Sequence, residues 1–335
     1  MEKPVLLLTG ATGFIGSHLL ASLPGKNYRL KILTRQRTPE LEKKLEGLDA
    51  QIVEGDITLT GPWQEQIADA ELVVHMAVFH HAYRLNRAEL EMMENVNIAG
   101  LGSLLAHLCG RGRGKLRKFI LLSSIKVTEW ETFGNGSEDP HWSYALTKKT
   151  AEEVLDAMAK KWNFDRVILR PTPVYGAGNV ANTGRLFRAI ASRRFTFIGD
   201  GSQRKSLCYV GNLVAAIHFF LEQPPRESQG AMNGPMAPLT VSDAETLDMR
   251  TLCSLIAEAA EVPPPRPILN NAQARLALSL AKCAGWVLPL PTAVRSLEAW
   301  LTESVHTPDA LLRLGFVPPF PARQAIQKTF SSGSP

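Results

Sequence analysis

Residues 5–19 read VLLLTGATGFIGSHL. Val5-Leu6-Leu7-Leu8-Thr9 is an unbroken apolar run of strand length, the pattern of a parallel strand covered on both faces. Gly10-Ala11-Thr12-Gly13-Phe14-Ile15-Gly16 follows without a spacer, and Ser17 to Leu23 continues as a helix that Pro24-Gly25 stops. Strand, glycine loop and helix start together form a cradle for a pyrophosphate. Gly10 allows the tight turn, Gly13 lets the backbone approach the phosphates, and Gly16 lets the helix pack on the strand. The helix start offers N–H groups and partial positive charge to an anion. The spacing is G-x-x-G-x-x-G, and it points to a dinucleotide without saying what is done with it.

Outward from this stretch, strand and helix signals alternate. Strands are expected at 28–34, 51–54, 72–76, 119–123 and 167–170, with helices over 92–108 and 143–161. Strands joined by helical crossovers imply an α/β, Rossmann-type, doubly wound parallel sheet. After Pro171 the texture changes. Pro171, Pro173, Gly176, Gly178 and Gly184 interrupt the chain, and a strand near 195–199, a strand at 207–210 and a helix at 213–221 follow. Residues 224–238 read as loop, and helices are expected at 249–261, 272–284, 293–302, 308–314 and 322–330. The division expected is a dinucleotide-binding domain over 1–172, to which 203–234 return, and a smaller, mainly helical substrate-binding region over 173–202 and 235–335.

The 335 residues, 45% of them apolar, suit a globular protein with a sizeable core. The net charge of +5 is scattered apart from RGRGKLRK at 111–118, which lacks interleaved aromatic residues and reads as a solvated loop, so nucleic acid is not expected as a partner. Cys109, Cys208, Cys253 and Cys283 form no C-x-x-C pair, and neither a zinc site nor a redox dithiol is indicated. A reducing, cytoplasmic location is expected, without a signal peptide. The sequon at Asn135 then carries no glycan. Residues 272–291 are apolar but interrupted by Arg275, Lys282, Pro289 and Pro291, and read as an amphipathic segment, not a membrane span. His80 and His81 are adjacent, a poor arrangement for binding one metal, so no metal is expected.

Tyr144 and Lys148 lie four apart on an expected helix and share a face. A neighbouring ammonium and a cationic nicotinamide both favour the phenolate of a tyrosine, which can then pass a proton to or from a hydroxyl or carbonyl. Ser123 and Ser124 end the expected fifth strand, where a hydroxyl can steady the oxygen of a carbonyl being reduced. The second strand ends in Thr34, not in the carboxylate that would bind ribose hydroxyls, and Arg35-Gln36-Arg37 follows. That composition suits a 2′-phosphate and favours NADP over NAD.

The sequence resembles an extended short-chain dehydrogenase/reductase of the NAD-dependent epimerase/dehydratase family. The resemblance rests on TGATGFIGSHL at 9–19, EGDIT at 54–58, VVHMA at 73–77, NIAG at 97–100, LLSSIKV at 121–127, YALTK at 144–148, LRPTPVYG at 169–176, IGDG at 198–201, YVGNLVAA at 209–216 and LGFVP at 314–318. It implies a catalytic Ser124, with Ser123 as fallback, an acid/base Tyr144, and Lys148 as its partner on the nicotinamide ribose. Asn97 would support the lysine and the proton path. Gly10, Thr12, Gly13, Phe14, Ile15, Gly16, Arg35, Asp56, Ile57, Met76, Ala77, Tyr144, Lys148, Pro171 and Val174 would line the cofactor. The similarity is greatest to 3β-hydroxysteroid dehydrogenase and dihydroflavonol-reductase-like members, which implies hydride transfer at a hydroxyl or carbonyl carbon of a small, lipophilic or polycyclic molecule. The alternatives are a nucleotide-sugar epimerase using bound NAD and a non-catalytic NADP-sensing protein. A 4,6-dehydratase is disfavoured because Ile125-Lys126 follows Ser124 where that branch has an acidic pair. Gly211-Asn212 and Thr128 also depart from many sugar-modifying members. The family implies a homodimer packed through the 92–108 and 143–161 helices.

Overall fold

The structure is a computed structural model and describes residues 2–79, 86–110, 115–134, 142–225, 236–270, 272, 273, 276, 279 and 302–331. His80, His81, Asn135, Cys283 and nearly all of 271–301 lie outside the described residues, including most of the two helices expected at 272–284 and 293–302. The chain divides into two compact units, one of residues 1–171 with 214–240, the other of 172–213 with 241–335.

The first unit begins β1 (Val5–Thr9), α1 (Phe14–Ala21), β2 (Arg29–Thr34), α2 (Pro39–Leu45), β3 (Ala50–Glu54), α3 (Trp63–Gln66) and β4 (Leu72–His75). It continues α4 (Arg87–Glu94), a π-helical turn (Asn95–Gly100), α5 (Leu101–Cys109), β5 (Lys118–Leu122), α6 (Ile125–Glu129), a second π turn (Trp130–Gly134), α7 (Ser143–Trp162) and β6 (Asp165–Pro171). In the second unit the chain runs through β7 (Val174–Tyr175), α8 (Asn182–Ala191), β8 (Phe197–Ile198), β9 (Arg204–Lys205) and β10 (Cys208–Tyr209). Helix α9 (Val210–Glu222) and β11 (Leu239–Val241) span the boundaries. Then come β12 (Leu247–Asp248), α10 (Met249–Ala259), β13 (Pro267–Leu269), α11 (Asp309–Arg313) and α12 (Ala322–Ser331).

The main sheet has the order β3-β2-β1-β4-β5-β6-β11, and every pairing from β3 to β6 is parallel. The order reverses between β1 and β4, and in open α/β sheets ligands bind at the carboxyl ends of the strands beside that reversal. All five residues of β1 are buried, as an unbroken apolar strand between two helical layers requires. One core layer joins Val5 and Leu7 of β1 to Leu104, Leu105 and Leu108 of α5 and to Ala151 and Leu155 of α7. Each such leucine contributes about 1.5–3 kcal/mol through burial, so this layer fixes α7 against the sheet.

Two departures from the expected elements have physical causes. The helix expected at 92–108 starts earlier, at an Asn86/Glu89 capping box, and its middle is a π turn. The glycine-rich stretch around 184 contains helix α8. A Cβ on Gly184 would stand 1.7 Å from the Asn179 carbonyl oxygen, so this glycine marks a close approach and not a break. In the second unit, Tyr175 donates to Asp243 at 2.8 Å, and Asp243 also accepts from the Tyr209 N–H and the Asn212 side chain. Burial pushes the Asp243 carboxyl up to about 6. Asn212 in turn bonds both backbone groups of Phe320.

Candidate active site

The glycine loop closes on itself. Gly10 has φ +71°, a conformation costly for residues with a side chain, and accepts the Gly13 N–H at 3.1 Å. A Cβ on Gly10 would lie 2.7 Å from the Ala77 nitrogen. One on Gly16 would lie 2.2 Å from the Gly10 oxygen, whereas one on Gly13 would meet only that oxygen, at 3.3 Å. Gly10 and Gly16 are therefore glycines because the chain passes close by, and Gly13 because its outer side is open. Gly13 is also the N-cap of α1, and no side chain caps that terminus. Thr12 is exposed, while Phe14 and Ile15 in the first helical turn are half-buried. An uncapped helix start behind an open glycine is a fit for a pyrophosphate.

Across the sheet reversal, Thr9 ties β1 to the exit of β4. Its hydroxyl accepts the Met76 and Ala77 N–H groups at 3.3 and 3.2 Å and lies 2.9 Å from His75 Nδ1. Burial first, and then the charge of Lys148, holds His75 down at about 3, so this ring is neutral. Met76 is buried and Ala77 half-buried.

Beyond the end of β2, Arg35 is exposed just past Thr34 and lies within electrostatic reach of Asp56. Arg37 is engaged by Glu42 at 2.5 Å, and its N–H by Glu54. Asp56 closes a turn by accepting from the Thr58 N–H and hydroxyl at 2.8 and 2.7 Å. The Ile57 side chain is in the core, against Gly100, so this residue offers a ligand only its backbone.

Helix α7 and the end of β5 bring together Tyr144, Lys148 and Ser124. Ser124 caps α6 by accepting the Lys126 N–H at 3.2 Å and hydrogen-bonds the Tyr144 phenol. Lys148 is buried and donates to the Leu122 carbonyl at 2.5 Å. Ser123 is buried and gives its proton to Glu152, which leaves Ser124 as the serine beside the tyrosine. Asn97 sits in the first π turn. Its amide bonds the Phe79 N–H and carbonyl at 2.9 and 3.1 Å and Thr147 at 3.3 Å, and so reaches α7 beside Lys148 rather than Lys148 itself. Pro171 ends β6, buried, and Val174 opens β7 in the second unit, half-buried.

One expectation is corrected here. The ammonium and a cationic nicotinamide together are expected to favour the Tyr144 phenolate, and the ammonium alone does not. Burial instead pushes the phenol up to about 12 against the opposing bond from Ser124, and pushes Lys148 down to about 8 against the opposing charge of Glu152. Desolvation disfavours the charged form of both groups and outweighs their neighbours.

The family resemblance also places His75 along the cofactor, beside Met76 and Ala77; sequence reasoning missed Thr9, Thr147, Glu152 and Arg170. Glu152 was within reach of it, since 144, 148 and 152 repeat at one-turn spacing on one helix face. Among the described residues no group of histidine, cysteine and acidic side chains is arranged to hold a metal, and no helix is long and apolar enough to cross a membrane.

Residues 6–233 match the family model described as the NAD dependent epimerase/dehydratase family. UDP-glucose 4-epimerase of Vibrio cholerae is 34% identical over 233 residues, 67% of this chain and 68% of its own length. The 2-alkyl-3-oxoalkanoate reductase of Stenotrophomonas maltophilia is 27% identical over 273 residues, 77% of this chain and 76% of its own. The fold is shared with Bacillus cereus UDP-glucuronic acid 4-epimerase, solved with UDP-glucuronic acid and NAD, at a TM-score of 0.69 and 20% identity, covering 98% of each chain.

Proposed function

Because the chain belongs to the NAD dependent epimerase/dehydratase family, whose members here are NAD-dependent epimerases and reductases, we propose that it is an oxidoreductase working on a hydroxyl or carbonyl carbon through Ser124, Tyr144 and Lys148. The bond between Ser124 and Tyr144 carries this reading, because it sets a hydroxyl and a phenol side by side at the carboxyl end of β5. A bound nicotinamide dinucleotide supplies the hydride acceptor or donor. Gly10, Gly13 and Gly16 with the start of α1 hold its pyrophosphate, and Met76 and Ala77 border the same cradle. Arg35, exposed and not paired in the way Arg37 is, suits a 2′-phosphate, which favours NADP. Lys148 holds positive charge beside the phenol. The un-ionised Tyr144 gives its proton to a carbonyl oxygen as the hydride arrives, while Ser124 donates to that oxygen; taking the proton from a substrate hydroxyl needs the phenolate, which an oxidised, cationic nicotinamide would favour.

The substrate proposed is a small, lipophilic ketone or alcohol. Two observations support it: the 27% identity to an oxoalkanoate reductase, and the engagement of Asn212 by Asp243 and Phe320 where sugar-modifying members carry acid. The second reading is a nucleotide-sugar epimerase, favoured by the 34% identity to UDP-glucose 4-epimerase. A homodimer through α4, α5 and α7 is proposed on the exposure of Met92 and Leu146 on those helices, and the cytoplasm is the proposed location. A screen of hydrophobic ketones and nucleotide sugars, followed by NADPH absorbance, separates the readings: a reductase changes the absorbance and an epimerase converts sugar without doing so. Tyr144→Phe is expected to lower kcat at least about 100-fold with cofactor binding retained, and a variant as active as wild type removes Tyr144 from the reaction.

A further inference from the structure

Three successive turns of α7 meet three successive residues at the end of β5. Lys148 donates to the Leu122 carbonyl at 2.5 Å, Glu152 accepts the Ser123 hydroxyl, and Tyr144 meets Ser124. Glu152 is only 2% exposed, and a carboxylate so buried needs a counter-ion. Arg170 of β6 supplies it, with Nε 3.0 Å from Oε1 and Nη2 2.6 Å from Oε2. The rest of the guanidinium fork reaches Glu131 at 2.8 and 3.2 Å and Thr128 at 3.0 Å. All five N–H donors of Arg170 are thereby used, and one planar group joins β6, α7, α6 and the second π turn. Lys149 closes the outer side, 3.4 Å from Glu131.

Building on the reading of Ser124, Tyr144 and Lys148 above, we propose that Glu152 is a positioning residue: clamped by Arg170, it fixes the register of α7 against the end of β5 and supplies the negative charge that keeps Lys148 an ammonium. The groups around Lys148 leave that task to Glu152. His75 from β4 is neutral, Tyr144 on α7 is an un-ionised phenol, Leu122 from β5 offers a carbonyl, and Asn97 engages Thr147. Glu131 shares Nη2 of Arg170 with Glu152 but meets the outer end of the guanidinium, and the charge that acts on Lys148 is that of Glu152. The arrangement explains why an arginine interrupts an apolar strand at 170 and why Ser123 is bonded away from Tyr144.

The test is an NMR titration of the lysine Cε resonances in the full, cofactor-free chain carrying 13C-lysine, with the Lys148 signal identified by its loss in Lys148→Met. Glu152→Gln is expected to lower the Lys148 midpoint by about one pH unit or more, whereas Glu131→Gln leaves it within about 0.3. In the active protein, the alkaline limb of kcat is expected to move to lower pH by the same amount. If Glu152→Gln does not fold, the neutral pair Glu152→Gln with Arg170→Gln replaces it, and a smaller drop in the same direction is expected because the more distant Arg170 charge is removed with it. An unchanged midpoint in whichever variant folds, or an equal drop in Glu131→Gln, overturns the proposal, as does failure of both to fold, which would make Glu152 a purely structural residue. Full activity in Tyr144→Phe would overturn the reading of the site and leave the titration result standing.

Discussion

Replacing Lys148 by methionine is expected to stabilise the cofactor-free protein near neutral pH while abolishing turnover. Burial lowers Lys148 from 10.5 to about 8, which corresponds to a penalty of about 3.4 kcal/mol against the charged form in the folded chain. Methionine fills similar space without charge, but leaves the Leu122 carbonyl without its donor at a cost of about 1–3 kcal/mol. The net gain at pH 7 is then about 1 kcal/mol, and the firmer signature is its pH dependence. The folded-state value is depressed below that of the unfolded chain, so between pH 8 and 10.5 the unfolded chain binds the proton that the folded one has released. Wild-type stability therefore gains from this group as pH rises through that window. The advantage of Lys148→Met over wild type should shrink by about 2.5 kcal/mol from pH 7 to pH 10. Denaturant unfolding of both proteins at pH 7, 8, 9 and 10 measures it. A difference constant with pH would refute the claim that burial dominates Lys148.

Wild-type protein is expected to bind NADPH more tightly than NADH, and Arg35→Ala to erase a preference of about 10- to 100-fold, the value of a charge-assisted hydrogen bond; equal affinities in titration calorimetry of the wild type defeat the NADP assignment. In Gly16→Ala the new methyl group meets the Gly10 oxygen. A loss of about 1–3 kcal/mol and of measurable dinucleotide binding is expected, and fluorescence titration showing normal binding contradicts the cradle. Tyr175→Phe removes a donor to the buried Asp243 carboxylate and should cost about 1.5–3 kcal/mol at pH 8. Because the Asp243 value is raised, to about 6, the loss should fade as pH falls from 6 towards 4 and the carboxyl becomes neutral; chemical denaturation that shows the same loss at pH 4.5 and pH 8 counts against it.

Six of the seven strands of the main sheet were legible because they are apolar runs bounded by glycine, proline or charge, and β1 was read to the residue; β11, only three residues long, was not. The glycine loop was legible because each glycine sits where another chain segment passes or must be admitted. Other features depend on contacts far apart in sequence. Arg170 meets Glu131 and Thr128 across about forty positions, and nothing in LRP announces a partner. Spacing on α7 reveals Tyr144 and Lys148 as neighbours but not the burial that keeps the phenol un-ionised and lowers Lys148 to about 8. Asn97 is singled out by the family resemblance, since by itself it reads as a polar residue in a helix. Its partners Phe79 and Thr147 emerge only once the helix is seen to widen there.

That widening has a further effect. An α-helix advances about 100° per residue, and a π turn inserts one residue without adding a full turn. The segments on either side of Asn95–Gly100 are therefore out of phase with a single regular helix by about one residue's rotation. Leu101, Leu104, Leu105 and Leu108 keep their places in the core, while Asn97 is presented to the backbone of Phe79. One covalent helix thus has two independent angular settings, one for packing and one for the polar partner beside the site. Substitutions in α5 can retune the packing without turning Asn97, whereas loss of a single residue between 95 and 100 would rotate one setting into the other.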